Sequence, residues 1–131
     1  MSDFNKKIAF VTGGGDGIGR ATSVALSACG AKVIVTDINE KMGKQTVDQI
    51  KSMGNEASFF KMDVSVETEV KSITEIVVEE NKKIDLAINN AGVGGDFESI
   101  HKTDLSDWNS TLNINLNGVF LCMKYQIKYM L

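Results

Sequence analysis

The sequence has 131 residues, with no proline, two cysteines, one histidine and no long hydrophobic run. Cys29 and Cys122 stand far apart and outside any CxxC motif, which favours reduced thiols lining the core over a disulfide framework. His101 has no second histidine or cysteine at ligand spacing, so we expect no metal site. No apolar stretch approaches the roughly 18 residues that cross a bilayer, and the polar start is unlike a signal peptide. We therefore expect a cytoplasmic protein with no membrane partner.

Basic residues are too few and too scattered for a nucleic-acid-binding surface. The 14 lysines and arginines are outnumbered by 17 acidic residues, which gives a net charge of -3 and a pI near 5.1. This balance provides no positive field for phosphates, so nucleic acid is not an expected partner. The hydrophobic fraction of 43% is that of an ordinary globular chain, and the length corresponds to one domain, 1–131.

Short apolar stretches alternate with segments of helical period. Strands are predicted at 8–11, 31–35, 57–60 and 86–88, and most of these stretches are nearly continuous in apolar character, as expected for strands covered on both faces. Helices are predicted at 20–29 and 39–53, with Gly54 as a left-handed cap of the second. Strands that alternate with helices predict a doubly wound, Rossmann-like parallel α/β sheet.

Two further helices complete the predicted set of four strands and four helices. The third has Ser65 as its N-cap and a buried stripe of Val66, Val70, Ile73 and Val77. The fourth follows Ser106, runs to the chain end and has one apolar face, formed by Leu112, Leu116, Val119, Met123 and Ile127. Because ligands of such sheets bind at the carboxyl ends of the strands, function is expected in the loops that follow them.

A glycine-rich turn, TGGGDGIG at 12–19, follows the first predicted strand. It fits TGxxxGIG, and neither GxGxxG nor the Walker phosphate loop. Glycines that lack Cβ atoms let the backbone approach a pyrophosphate, and the free N–H groups of a helix start bind its charge. An ordinary glycine turn is the alternative, and the turn alone does not decide between them.

Asp37 ends the second predicted strand, twenty residues after Gly17. A carboxylate at this place can accept hydrogen bonds from both ribose hydroxyls of an adenosine, and it repels a 2′-phosphate. Neither the glycine turn nor Ile38 and Asn39 supply a basic residue to bind such a phosphate. The pattern favours NAD over NADP, the alternative being that Asp37 caps the following helix.

Polar and small residues also end the third and fourth predicted strands. Asp63 and Val64 close the third, and the run 89–92, NNAG, closes the fourth. At the ligand edge, the carboxylate can bind an adenine amino group and the polar-small run can line a ribose. The alternative for Asn89 and Asn90 is a turn held by bonds from side chain to backbone.

These motifs, with NLNGVF at 115–120, together resemble the short-chain dehydrogenase/reductase family from about Lys7 to the last residue. The resemblance implies a Rossmann fold, a nicotinamide dinucleotide cofactor and hydride transfer between nicotinamide and a small-molecule secondary alcohol or ketone. It implies that the cofactor is held by Gly13, Gly17, Ile18 and Gly19 at the pyrophosphate, Asp37 at the adenosine ribose, Asp63 and Val64 at the adenine, and Asn90, Ala91 and Gly92 at the inner ribose. Asp16 and Ile38, beside these positions, complete the expected cofactor site.

Asn115 is the one candidate catalytic residue. Helices disfavour asparagine, yet Asn113, Asn115 and Asn117 fall within five positions and precede Gly118. By resemblance, Asn115 bends the helix locally and holds a water that feeds a proton relay. The alternative is that these asparagines are solvated or locally capped.

The family's catalytic serine and its YxxxK pair are not found in this sequence. Tyr125 and Lys128 have the spacing YxxK and lie too early, so we expect an ordinary helix surface there. We therefore expect a Rossmann domain truncated before the Ser/Tyr/Lys region, with the second half of the sheet missing. Such a chain would bind cofactor but be catalytically incomplete. Its fourth strand would be an exposed edge carrying Leu86 and Ile88, which favours a homo-oligomer.

Two other functions fit parts of the pattern. A stand-alone dinucleotide-binding or regulatory module would need no catalytic tyrosine or lysine. An S-adenosylmethionine-dependent methyltransferase also has a glycine turn and an acid after its second strand, although the run 89–92 and Asn115 argue against it. We expect 93–103 to form a loop beside the substrate, with His101 at the surface.

Overall fold

The computed structural model describes residues 3–131 and contains a four-stranded parallel sheet. Its strands are β1 (Ile8–Thr12), β2 (Lys32–Asp37), β3 (Ala57–Lys61) and β4 (Leu86–Asn89). They lie in the order β3-β2-β1-β4, and every adjacent pair is parallel. The central strand β1 is buried throughout, as its continuous apolar sequence predicts.

Helices connect the strands and follow the last one. They are α1 (Gly17–Ala28), α2 (Glu40–Ser52), α3 (Glu67–Asn81), α4 (Leu105–Leu112) and α5 (Gly118–Gln126). A π-helical turn, Asn113–Asn117, joins α4 to α5 into one continuous segment, the fourth helix of the prediction. Within residues 3–131 no helix has the length and apolar character that crossing a membrane requires.

Two apolar clusters cover opposite faces of the sheet. Phe10 and Ile34 pack on one face with α3 and with Cys122 of α5. Val11 and Val35 pack on the other face with residues of α1 and α2. Helices on both faces of a parallel sheet make the fold doubly wound, which confirms the predicted Rossmann-like class.

The chain order reverses beside β1. From β1 the chain passes to β2 and β3 on one side, and β4 then pairs with the other side of β1. Open α/β sheets bind ligands at the carboxyl ends of the strands where this reversal occurs. The glycine turn after β1 and the residues after β4 are therefore brought to the same crevice. β4 is the sheet edge, as predicted, and its four residues are only partly buried.

Helix starts differ from the predictions at two places. α1 begins at Gly17, not Arg20, so the last glycines of the turn belong to its first helical turn. The predicted N-cap Ser65 is wrong, because its hydroxyl donates instead to Asp63 and α3 starts at Glu67 after Val66 in extended conformation. Val66 is consequently exposed, whereas the rest of the predicted stripe packs inward.

The buried face of the last helical segment also differs from the prediction. Leu116, Met123 and Ile127 are exposed, whereas α5 buries Gly118, Cys122 and Gln126. A π turn closes its hydrogen bonds over one more residue than an α turn, so a 3.6-residue period drawn through it points to the wrong face.

The two cysteines differ in their surroundings. Burial raises the pKa of the Cys122 thiol to about 12, as fits a residue that only lines the core. Cys29 caps the end of α1 and is half-buried, so only Cys122 is the core residue that was expected. His101 is exposed, as expected.

A buried amide pair fixes α5 to the end of β4. Gln126 is 1% exposed and exchanges two hydrogen bonds with Asn89, of 2.9 and 3.1 Å. Each amide satisfies the other's donor and acceptor inside the apolar layer, so removing one leaves its partner without a bond.

We expect Gln126→Met to lower the free energy of unfolding by about 1–3 kcal/mol, because Asn89 then keeps a desolvated amide. Urea unfolding measures the loss, and the exposed Gln45→Met is the control, expected within about 0.5 kcal/mol of the wild type. Equal stability of the two variants would contradict the role given to the amide pair.

Candidate functional site

An open cleft of about 410 Å³ lies at the carboxyl ends of the strands. This volume is in the range of small-molecule and cofactor sites. The cleft gathers side chains and backbone from the loops after all four strands. Its lining includes every residue predicted for the cofactor except Gly19, namely Gly13, Asp16, Gly17, Ile18, Asp37, Ile38, Asp63, Val64, Asn90, Ala91 and Gly92.

The glycine turn forms one wall and requires glycine at several points. Gly13 has a φ of 62°, and a Cβ there would lie 2.8 Å from the Ala91 Cα. Gly17 has a φ of 50° and nothing within 4 Å of its Cβ position, so it opens on the cleft. Gly19 is buried, and its Cβ would overlap the carbonyl oxygen of Gly13. Gly19 therefore lets α1 start close to the turn, and the first N–H groups of α1 have no partners within the helix.

Asp37 lies against this turn. Its Oδ2 accepts a hydrogen bond of 2.8 Å from the Gly15 N–H, and its Oδ1 accepts one of 2.8 Å from the Asn39 N–H. Asn39 itself caps α2, because its Oδ1 accepts from the Met42 N–H at 3.0 Å. The alternative that Asp37 is the helix cap is therefore wrong. A carboxylate has about four acceptor positions, so Asp37 can accept further hydrogen bonds on the cleft side.

Asp63 is oriented by its own loop. Its Oδ1 accepts from both the N–H and the hydroxyl of Ser65, at 2.9 and 2.6 Å. Its backbone N–H donates to Glu69 Oε2 at 2.7 Å. These bonds hold the loop after β3, and Asp63 and Val64 follow the strand instead of ending it, because β3 stops at Lys61.

Asn90 joins the loop after β4 to the glycine turn. Its Nδ2 donates to the carbonyl oxygens of Thr12 and Gly13, both at 3.2 Å. The Ala91 N–H donates to the Thr12 hydroxyl at 3.1 Å. Because these bonds cross from β4 to β1, the alternative of a locally held turn is wrong for Asn90. Asn89 instead pairs with Gln126, away from the cleft.

Asn115 lies in the middle of the π-helical turn, where a local bend was predicted. Its Oδ1 accepts from the Val93 N–H at 2.8 Å, and its Nδ2 donates to the Val93 carbonyl at 2.7 Å. Gly118 lets the same segment pack on Val64, since a Cβ there would lie 2.7 Å from Val64 Cγ2. Asn115 thus ties the loop after β4 to the helix behind it. The side chains of the exposed Asn113 and Asn117 bond to each other, with Asn117 Nδ2 donating to Asn113 Oδ1 at 2.8 Å.

Several residues of the cleft were not predicted from the sequence. Met62, Val93 and Ile114 line it, and Thr12 holds one end. Of these residues, only Thr12 could have been predicted, because it is the first residue of TGxxxGIG. The apolar lining residues belong to no motif that would mark them as part of a site. Neither Tyr125 nor Lys128 is among the described residues that line the cleft.

Tyr125 is engaged elsewhere. Its hydroxyl donates to Glu67 Oε1 at 2.7 Å, and this bond raises the pKa of the phenol. Glu67 also accepts a hydrogen bond from Lys124, so the three side chains join α5 to α3 at the surface.

The similarity of this chain to known proteins identifies its family. The short chain dehydrogenase family matches residues 7–131. The chain belongs to the short-chain dehydrogenase family. Cyclohexanol dehydrogenase of Acinetobacter sp. is 35% identical over 124 residues, which are 95% of this chain and 49% of that protein. An uncharacterized oxidoreductase of Thermotoga maritima is 39% identical over 128 residues, covering 98% of this chain and 50% of that protein.

Solved structures of the family superpose closely. NAD+-bound xylitol dehydrogenase matches with a TM-score of 0.95 and 32% identity, covering 98% of this chain and 50% of that one. A metagenomic short-chain oxidoreductase in complex with NADP matches with a TM-score of 0.94 and 26% identity, covering 98% and 58%. This short-chain dehydrogenase chain thus spans about half the length of the curated relatives it matches. Members of the family are oxidoreductases that bind a nicotinamide dinucleotide.

We expect Asn115→Ala to release the loop after β4, because both bonds to Val93 are lost. Hydrogen exchange of the Val93 amide should become about tenfold faster, the change that corresponds to about 1.4 kcal/mol of local stability. Asn113→Ala, which removes an exposed amide of the same turn, is the control and should leave that amide unchanged. Unaltered exchange in Asn115→Ala would show that another contact holds the loop.

Proposed function

We propose that this short-chain dehydrogenase chain binds NAD in the cleft and is the cofactor-binding portion of an enzyme acting on a secondary alcohol or ketone. The observation that carries the proposal is the position of Asp37. Its carboxylate is bonded to the glycine turn at Gly15 and stands in the same cleft as the free N–H groups of α1. An acid and an anion-binding helix start side by side suit an adenosine ribose joined to a pyrophosphate.

The remaining lining suits the other parts of the dinucleotide. We assign the pyrophosphate to the backbone from Gly13 to Gly19, and the adenine to Asp63 and Val64. Ile38 is 62% exposed beside Asp37, so its side chain is available to cover a flat apolar base. Asn90, Ala91 and Gly92 would line the inner ribose, where small side chains leave room for it.

Charge supports NAD over NADP. Asp16 and Asp37 both line the cleft, and two carboxylates there disfavour the dianionic 2′-phosphate. Arg20, the basic residue next to the turn, donates instead to the Gly15 carbonyl. Structures of similar proteins include complexes with either cofactor, so the preference rests on the residues of this chain.

The class of substrate is proposed from the named relatives. Cyclohexanol dehydrogenase and a 3beta-hydroxysteroid dehydrogenase, each about 35% identical, are named for alcohols on rings. The nicotinamide, when bound, supplies or accepts the hydride. Among the described residues of the cleft, none is a tyrosine or lysine that could hold the proton of the alcohol. We therefore propose that the 131 residues alone bind cofactor without turnover. We also propose that the protein is cytoplasmic. The regulatory-module and methyltransferase alternatives gain no support from the comparisons.

We expect the wild-type chain to bind NADH at least tenfold more tightly than NADPH. Asp37→Asn should reduce that ratio by about tenfold, because it removes the charge that repels the 2′-phosphate but keeps an oxygen for the Gly15 N–H. Titration of NADH and NADPH fluorescence measures both ratios. Asp48→Asn, an exposed acid on α2, is the matched control. No binding, or equal affinity for both cofactors, would contradict the proposal.

We also propose that the chain self-associates. Large apolar side chains on α4, the π-helical turn and α5 are exposed, with Leu105 at 72%, Leu116 at 62% and Phe120 at 57%. The edge strand β4 adds unpaired backbone groups on the described sheet. Exposed large apolar side chains together with an open sheet edge favour association with another chain.

We expect analytical ultracentrifugation of the chain to give a dimer or larger assembly that grows with concentration. Phe120→Lys should shift the distribution towards monomer, because a buried charge opposes association. Lys71→Glu, on the exposed side of α3, is the control. A wild-type chain that sediments as a monomer at every concentration would refute self-association.

A further inference from the structure

The glycine turn is tied on its far side to β2 and α2. The Gly14 N–H donates to the Thr36 carbonyl at 3.0 Å, and the Gly14 carbonyl accepts from the Thr46 hydroxyl at 2.8 Å. Thr46 is fully buried in α2. Both backbone groups of Gly14 are therefore satisfied by neighbouring elements, one on the sheet and one on a helix.

Arg20 holds the next carbonyl. Its Nη2 and Nε donate to the Gly15 oxygen at 2.6 and 3.0 Å. The same Nε lies 3.1 Å from the Thr46 Oγ1, and Nη2 lies 3.4 Å from the Met42 carbonyl. One guanidinium thus joins the turn to α2 through two residues of that helix. A planar fork of donors suits this task, because several bonds fix its orientation.

These bonds decide which way the peptide groups of the turn face. Three successive glycines can adopt many backbone conformations, so the turn would sample many of them if these hydrogen bonds were absent. A peptide that rotated would present a carbonyl oxygen where an N–H group must meet an anion. Because the peptide bond is planar and trans, holding the Gly15 carbonyl at Arg20 directs the Asp16 N–H to the opposite side. Asp16 lines the cleft.

We propose that Arg20 and Thr46 are positioning residues for the pyrophosphate of the dinucleotide. They do not contact the ligand. Arg20 fixes the Gly15 carbonyl and so keeps the Asp16 N–H presented to the pyrophosphate, and Thr46 fixes the Gly14 carbonyl and so keeps the Gly15 N–H bonded to Asp37. α2 is thereby a functional part of the anion site, although its sequence carries no phosphate-binding motif. This inference rests on the proposed function, since it concerns the same cleft.

The first test needs no ligand. Hydrogen exchange of the Gly14 and Gly15 amides, which donate to Thr36 and Asp37, should become at least fivefold faster in Arg20→Met and in Thr46→Val, because the peptide groups of the turn can then rotate. Thr46→Ser keeps the hydroxyl and should exchange like the wild type. Thr74→Val, which removes another fully buried hydroxyl from a helix on the opposite face, controls for the general effect of such a change. Unchanged exchange at the turn in Arg20→Met overturns the proposal.

The second test uses NADH as the probe. Arg20→Met and Thr46→Val should each weaken NADH binding about tenfold, whereas Thr46→Ser and Thr74→Val should stay within about twofold of the wild type. Arg20→Lys offers a single ammonium group, so its affinity for NADH should lie between those of the wild type and Arg20→Met. Wild-type affinity in Arg20→Met, or an equal loss in Thr46→Ser and Thr46→Val, overturns the role of these residues. A wild-type chain that binds no NADH refutes the proposed function itself, even where the exchange result shows that the turn is held.

Discussion

The hydrogen bond from the Gly15 amide to the Asp37 carboxylate joins the ends of two neighbouring strands, and the cleft depends on it. It requires glycine at position 15, since a Cβ there would lie 2.7 Å from Asp37 Oδ2. It also requires an acceptor at position 37, because the amide is turned towards β2. The glycine turn and the acid are therefore one unit, built where the parallel pairing of β1 and β2 places their ends together.

Much of this arrangement follows from short-range patterns in the sequence. Short apolar stretches identified all four strands, and most of these stretches are nearly continuous because strands covered on both faces carry apolar residues at successive positions. Parallel strands bring their carboxyl ends to one edge, so Asp37, Asp63 and the run 89–92 were expected together. The structure gathers Asp37, Asp63 and 90–92 around one cleft, whereas Asn89 pairs with Gln126 away from it. The roles given to them at a cofactor remain predictions.

The other features of the fold and the cleft could not be predicted from the sequence, because they depend on contacts between distant residues. The buried face of α5 was predicted wrongly, because the local bend expected at Asn115 did not reveal that the backbone widens there into a π turn, Asn113–Asn117. Ser65 suits a helix cap by type, yet the Asp63 carboxylate competes for its hydroxyl. Arg20 and Thr46 meet across 26 positions, and neither residue type suggests that it holds a glycine carbonyl. Such bonds are apparent only when the two helices are placed side by side.

Nuclear magnetic resonance with ADP-ribose tests whether the turn and the acid together form an adenosine diphosphate site. This ligand carries the ribose and pyrophosphate without the reactive ring. We expect the amide signals of 13–19, Ile38 and Val64 to shift on titration, while those at the opposite ends of the strands, near Lys32 and Glu56, stay in place. Shifts confined to other surfaces, or none at millimolar ligand, would contradict the presence of such a site.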